Sequence, residues 1–299
     1  MDTWQFRREI DKKIIDALRD SDLFKNHLKK DIKKGEIFPA IRINSIDFYY
    51  CGGRLFSFDK DGFKTHVKYA SVYDYNQNYV NENNLKNMKP IEGFSESYDR
   101  IKENCKKYTS VEPYGVSKLY KFSPFISKQN KVVLLDIEIS FKTPKEKEEV
   151  GFQDPQKNTK KRKRKMDRVD ILLYNTQDKS LHFVEAKHFS NGELWSKTKP
   201  EVIEQVEDYN KQLHDKKDKI LEVYGNYINL LKELFKDLNL DCPINLIPKT
   251  GLYIFGYDGD QQKSAEELKH KMKQEKIPAY TIGNPKDIKI DKLWKETCN

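Results

Sequence analysis

The constraint that most limits the fold is a pair of apolar runs that carry charge in their middles. R-V-D-I-L-L-Y-N (168–175) turns through T-Q-D-K-S and returns as L-H-F-V-E-A-K-H-F (181–189). Two such runs joined by a polar turn predict an antiparallel strand pair. A charge in a half-buried strand is costly unless it is paired or bound to metal. Asp170, Glu185 and Lys187 therefore need an explanation. Residues two apart share a strand face, so Leu181, Phe183, Glu185, Lys187 and Phe189 point one way and Val184 and Ala186 the other. With Asp170 on the neighbouring strand, two carboxylates and an ammonium converge at one end of a sheet. Two acids and a backbone carbonyl suit Mg²⁺ or Mn²⁺, and a nearby lysine can orient water or neutralise charge on a phosphate. The structural alternative is a buried ion pair from Glu185 to Lys187 or to Arg168.

The (D/E)-x-K pattern alone is weak in a chain that is 34% charged. Asp215/Lys217, Glu267/Lys269 and Asp287/Lys289 match it too, but in polar segments where solvated charge is the default. Only Glu185/Lys187 lies in an apolar strand preceded by a second acid-bearing strand. The helical segment that follows, E-V-I-E-Q-V-E-D-Y-N, puts Gln205 and Tyr209 on one face, beside the stripe Val202, Val206 and Leu213.

These residues resemble the PD-(D/E)XK nuclease superfamily, the restriction-endonuclease-like fold, over roughly residues 132–257. Val169 stands where that family usually has proline, and Gln205 and Tyr209 resemble its Q-x-x-x-Y motif. The resemblance implies an α/β (α+β) fold with a mixed central sheet flanked by helices. It further implies a Mg²⁺-dependent nuclease, with Mn²⁺ as substitute, acting on DNA rather than RNA. Asp170, Glu185 and the Ala186 carbonyl would hold the ion, Lys187 would act on the attacking water, and Gln205 and Tyr209 would position the strand. A homodimer and a partner protein are both compatible with it.

The third predicted strand, K-V-V-L-L-D-I-E-I-S-F (131–141), is expected to turn acidic along its even face, Val132, Leu134, Asp136, Glu138 and Ser140. Glu138 is the expected third acid and Asp136 the runner-up; a solvated strand end is the alternative. Downstream, helical spacing continues with Gly225 as a break, and 248–258, the helix S-A-E-E-L-K-H-K-M-K and I-P-A-Y-T-I-G-N add strand, helix and strand.

Before this region, residues 3–34 have helical spacing broken at Asp20-Ser21-Asp22, a packing or dimerisation element. Residues 38–72 predict a three-stranded meander in which Arg42, Arg54, Lys64, His66 and Lys68 alternate with aromatics. That interleaving suits nucleic acid but is also ordinary sheet composition. E-S-Y-D-R-I-K-E-N-C-K-K-Y predicts the helix that precedes the nuclease sheet, with Glu96 and Glu103 within reach of the site. The division expected is 1–95 as an accessory region and 96–299 as the nuclease-like domain.

The net charge of +9 is concentrated. Lys160, Lys161, Arg162, Lys163, Arg164 and Lys165 are six consecutive cations, and without them +3 remains of the +9. The run reads as a nucleic-acid contact beside the acids or as a solvated loop. No run is long enough for a membrane span. Cys51, Cys105, Cys242 and Cys298, scattered without zinc spacing, predict reduced thiols of a cytoplasmic protein.

Overall fold

The computed structural model describes residues 6–71, 78–82, 93–126, 130–141, 168–196 and 199–298. The basic run Lys160–Lys165 lies outside the described residues. The chain is a mixed α/β protein built on two sheets.

The first sheet is an antiparallel meander: β1 Ile37–Arg42, β2 Ser45–Tyr50, β3 Gly53–Asp59, β4 Gly62–His66 and β5 Tyr79–Asn81, in that order. Among the described residues it has five strands where three were expected, because the run from Ala40 to Tyr50 is two strands and β5 lies beyond the expected 38–72. They divide at Asn44, which takes a left-handed conformation with φ 54°. Asparagine tolerates that region better than most residues. The β2–β3 turn places Gly52 at φ 93° against the backbone of Pro113, where a side chain would collide. The first helix, Lys12–Asp20, starts later than expected because Asp11 caps it, its carboxylate accepting the Lys13 N–H at 2.8 Å. It ends at Ser21, within the expected break.

The second sheet runs β11 Ala279–Ile282, β10 Gly251–Phe255, β8 Ser180–His188, β7 Val169–Asn175 and β6 Val132–Ile139. A short β9, Asn245–Leu246, also pairs β8. β6, β7 and β8 are antiparallel, while β10 is parallel to both β8 and β11, so the sheet is mixed as expected. The alternation on β8 holds. Leu181 and Phe183 enter one core with Leu172, Tyr209 and Tyr224, and Val184 and Ala186 enter another with Ile171, Tyr253 and Leu293. The first of these cores also takes Phe24, Ile46 and Phe56 from the N-terminal region, so the two sheets share it. Helix Lys217–Leu234 runs straight through Gly225, where no break occurs. No helix among the described residues is long and apolar enough to cross a membrane.

β6 departs from simple alternation. Its register against β7 passes from Leu134↔Leu173 to Asp136↔Leu172, leaving Leu135 as the extra residue of a bulge. The expected even face is therefore interrupted. Val132, Leu134 and Ile137 join one core and Val133 and Leu135 the other.

Helix Tyr98–Lys107 is present, but it packs on β3 of the first sheet and not on the second. Glu96 and Glu103 are exposed there, away from the acids of β7 and β8. The next helix, Val111–Val116, lies on β8, which the C-terminal helix Ile290–Cys298 also touches. Gly115 makes this close approach feasible, since a Cβ there would run into the Phe255 ring.

Candidate active site

The β7–β8 ladder runs in register from Asn175↔Ser180 to Ile171↔Val184. One step further, Asp170 would face Glu185. Like charges directly opposite one another destabilise a ladder, and here the strands part. The Ala186 N–H is accepted by Asp170 Oδ2 at 2.9 Å instead. The sheet thus opens where the two acids meet.

Glu185 is 2% exposed and Lys187 6%. Glu185 Oε1 accepts from Gln205 Nε2 at 2.8 Å and pairs with Lys187 Nζ at 2.8 Å. Its other oxygen, Oε2, is buried with no hydrogen-bond partner among the described residues. Gln205 also donates to Tyr209 OH at 3.0 Å, and that hydroxyl donates to the Arg168 carbonyl at 2.7 Å. The two residues of helix Glu201–Asp215 therefore tie β8 to the start of β7. Changing Tyr209 to Phe is expected to cost about 1 kcal/mol of stability, measured by urea unfolding, because the Arg168 carbonyl loses its donor.

Burial pushes the Asp170 carboxyl up, and Glu112 and Glu138 add to it; Lys187 and the Ala186 N–H pull the other way, leaving it at about 6. Glu185 is raised well above the usual carboxylate range, by burial first and by Asp170 next. For Lys187 burial favours the neutral amine, but Glu185, Glu193 and Asp170 outweigh it and hold the ammonium well above its ordinary value. Lys187 also contacts Glu193 Oε2 at 2.7 Å. These three acids therefore keep Lys187 positively charged despite its burial.

The acids fit a hard divalent cation. Two carboxylates repel each other, one oxygen is buried without a partner, and a positive ion would relieve both. As the side chains stand, however, no three His, Cys, Asp or Glu residues among those described converge closely enough to hold an ion. Oxygens from Ala186 or water would have to complete the set.

Glu138 sits between Ile137 and Ile139, whose partners on β7 are Ile171 and Val169. It is close enough to raise the Asp170 carboxyl. Its Oε2 accepts from Tyr49 OH and Arg168 Nη1, each at 3.1 Å, so its carboxylate is engaged away from Glu185. Its φ of 50° is unusual for a side chain of this kind. Asp136, the runner-up, is no site acid. The Leu135 bulge turns it into the interior, where Arg8 Nη2 at 3.0 Å, Arg42 Nη1 at 2.9 Å and Tyr224 OH at 3.0 Å surround it. Burial opposes its charge, but Arg42 and Arg8 prevail and keep its carboxyl below the ordinary value.

Two acids were missed by sequence reasoning. Glu112 Oε1 accepts from the His188 N–H at 3.0 Å and from Asn191 Nδ2 at 2.7 Å, fixing the end of β8. Glu193 follows β8 on a short turn, Gly192–Leu194, capped by Asn191. For Glu193 the six-residue distance from Lys187 was a usable signal; for Glu112 there was none, since its approach depends on Gly115.

Of the interleaved basic residues of the meander, Arg42 is spent on Asp136 and Lys64 pairs with Asp59 at 2.7 Å. His66 caps a short helix, accepting from the Lys68 N–H at 3.1 Å. The other (D/E)-x-K acids, Asp215, Glu267 and Asp287, are exposed as expected. The four cysteines are free thiols. Compared with family models, curated proteins and solved structures, the chain matches none.

Proposed function

We propose that the chain is a Mg²⁺-dependent nuclease that hydrolyses phosphodiester bonds of DNA, in a restriction, defence or repair setting. The observation that carries this reading is the parted end of β7 and β8, where Asp170 and Glu185 are held in opposition and one buried carboxylate oxygen has no partner. A purely structural pair gains nothing from two mutually repelling acids, because buried charges persist only when compensated. Asp170, Glu185 and the Ala186 carbonyl would hold Mg²⁺, with Mn²⁺ able to substitute. Bound there, the ion supplies Lewis acidity and offsets the two carboxylates.

The chain's own residues do the rest. Lys187, as a fixed ammonium, stabilises negative charge developing on the phosphate oxygens. Gln205 orients Glu185, and Tyr209 anchors Gln205 to the start of β7. Glu112 holds the peptide after Lys187 and so sets where the ammonium points. The run Lys160–Lys165 would add backbone contacts by charge alone.

A second reading, a nucleic-acid-binding or interaction protein without catalysis, is favoured by one feature. Lys187 already bridges Glu185 and Glu193 in the manner of a structural ion-pair network. Supercoiled plasmid incubated with the protein and Mg²⁺ separates the two. The nuclease should nick or linearise it, chelation should stop the reaction, and Lys187→Ala should slow it about 100-fold or more. Intact plasmid, together with no heat of Mn²⁺ binding in isothermal titration, would leave the second reading standing.

A further inference from the structure

A cavity of about 570 Å³ lies between the first sheet and the end of β6, lined by Arg7, Arg8, Arg42, Arg54 and Arg168. Among the described residues, Asp47 and Glu138 are its lining carboxylates. Asp136 lies behind Arg8 and Arg42, and Glu9 pairs with Arg7. Among the described residues, even with those two included, the guanidiniums outnumber the acids by one. The described lining therefore has charge to spare for a single anion.

The arginines differ in how they are used. Arg8, buried, and Arg42, 16% exposed, both pair with Asp136 and form a fixed floor. Arg7, Arg54 and Arg168 are the more exposed ones, at 56%, 38% and 56% of the side chain. Arg54 reaches Asp47 only at 3.6 Å, beyond hydrogen-bond distance, and its guanidinium stacks over the Tyr79 ring at 4.8 Å. Tyr79 is itself exposed. The Tyr79 ring also meets the His66 ring edge-on, with centroids 5.5 Å apart, yet keeps 43% of its surface exposed. A planar guanidinium beside such a ring recognises phosphate by its fork and a base by the ring's exposed part. The volume is within the range that encloses a small organic ligand.

We propose that this cavity binds a nucleotide, its phosphate on Arg54 and Arg168 and its base against Tyr79. The cavity shares Arg168 and Glu138 with the edge of the acid pair: the Arg168 carbonyl is tied to Tyr209, while its guanidinium meets Glu138 in the cavity wall. A nucleotide unit held here would lie beside the parted strands. This assignment extends the nuclease reading to a subsite but does not need cleavage to be tested.

The source of the phosphate is either a free nucleotide or a nucleotide unit of a strand, and the test has an arm for each. Isothermal titration in chelator uses dAMP, deoxyadenosine, and a short single strand with or without a 5′-phosphate. The expected result is that dAMP or the phosphorylated strand binds at least tenfold more tightly than its unphosphorylated counterpart. Arg54→Ala should remove that difference, and Arg54→Lys should restore only part of it, since a lysine keeps the charge without the fork. Preference for dAMP alone would assign a free nucleotide, and preference for the strand alone a strand unit; both support the proposal. Equal binding with and without phosphate, or a preference that survives unchanged in Arg54→Ala with an unaltered melting temperature, would overturn it. Because no metal and no cleavage enter, a failure here leaves the plasmid result unaffected, and the reverse also holds.

Discussion

Asp170→Asn should abolish Mg²⁺-dependent plasmid cleavage, by about a thousandfold or more, while making the metal-free protein more stable. The stability gain has a definite sign. The folded Asp170 carboxyl is raised to about 6 from an ordinary 3.8. A carboxyl raised on folding stabilises the native state below its unfolded pKa, and that stability is lost as pH rises through the folded value. At pH 7 the wild-type protein has lost it, and an uncharged amide has not. The gain is about 1–3 kcal/mol, or a melting temperature several degrees higher. Between about pH 4 and 6 the wild type should lose stability relative to the variant, and above pH 6 the gap should stay constant. Divalent metal reverses the comparison: Mn²⁺ should raise the melting temperature of the wild type and leave Asp170→Asn unmoved. If the variant melts lower than the wild type at pH 7 without metal, Asp170 is a stabilising ion-pair member and the site has been misread.

Asp136→Ala is expected to behave in the opposite way. Here the acid is fully buried, and Arg8, Arg42 and Tyr224 all direct donors at it. Removing it leaves two guanidiniums without their shared counter-charge, one of them almost wholly enclosed, at a cost of about 3–5 kcal/mol. For a chain of ordinary marginal stability that is a large part of the total. Urea denaturation should show the midpoint collapse, or the protein should fail to accumulate folded. Whatever fraction folds should keep its Mg²⁺ response, since Asp136 lies outside the acid pair. A variant that is well folded yet inactive would return Asp136 to the site.

The contrast between these two aspartates marks where the sequence was legible. Both sit in apolar strands, and pattern alone favours neither role. Asp170 could be placed because it precedes a neighbouring strand with a matching acid and lysine, and a tight turn sets the register between adjacent strands. Gln205 and Tyr209 could be placed because four residues on a helix is a short, rigid distance. Asp136 could not, because a single extra residue at Leu135 reverses which way everything after it points, and nothing in K-V-V-L-L-D-I-E-I announces a bulge.

By itself, then, the sequence determined the strands of the second sheet on either side of the Glu201–Asp215 helix, that sheet's mixed character, and the convergence of Asp170, Glu185 and Lys187. Each of these depends on periodicity or on neighbours close along the chain. Tertiary structure alone decided that Glu112 braces the end of β8, that Arg42 pairs with Asp136, and that the arginines of the first sheet meet Arg168 around one cavity. Those contacts join residues tens of positions apart or more, and they depend on how two sheets pack over a shared core. Local pattern carries no information about that packing, because the apolar faces that drive it are nearly interchangeable.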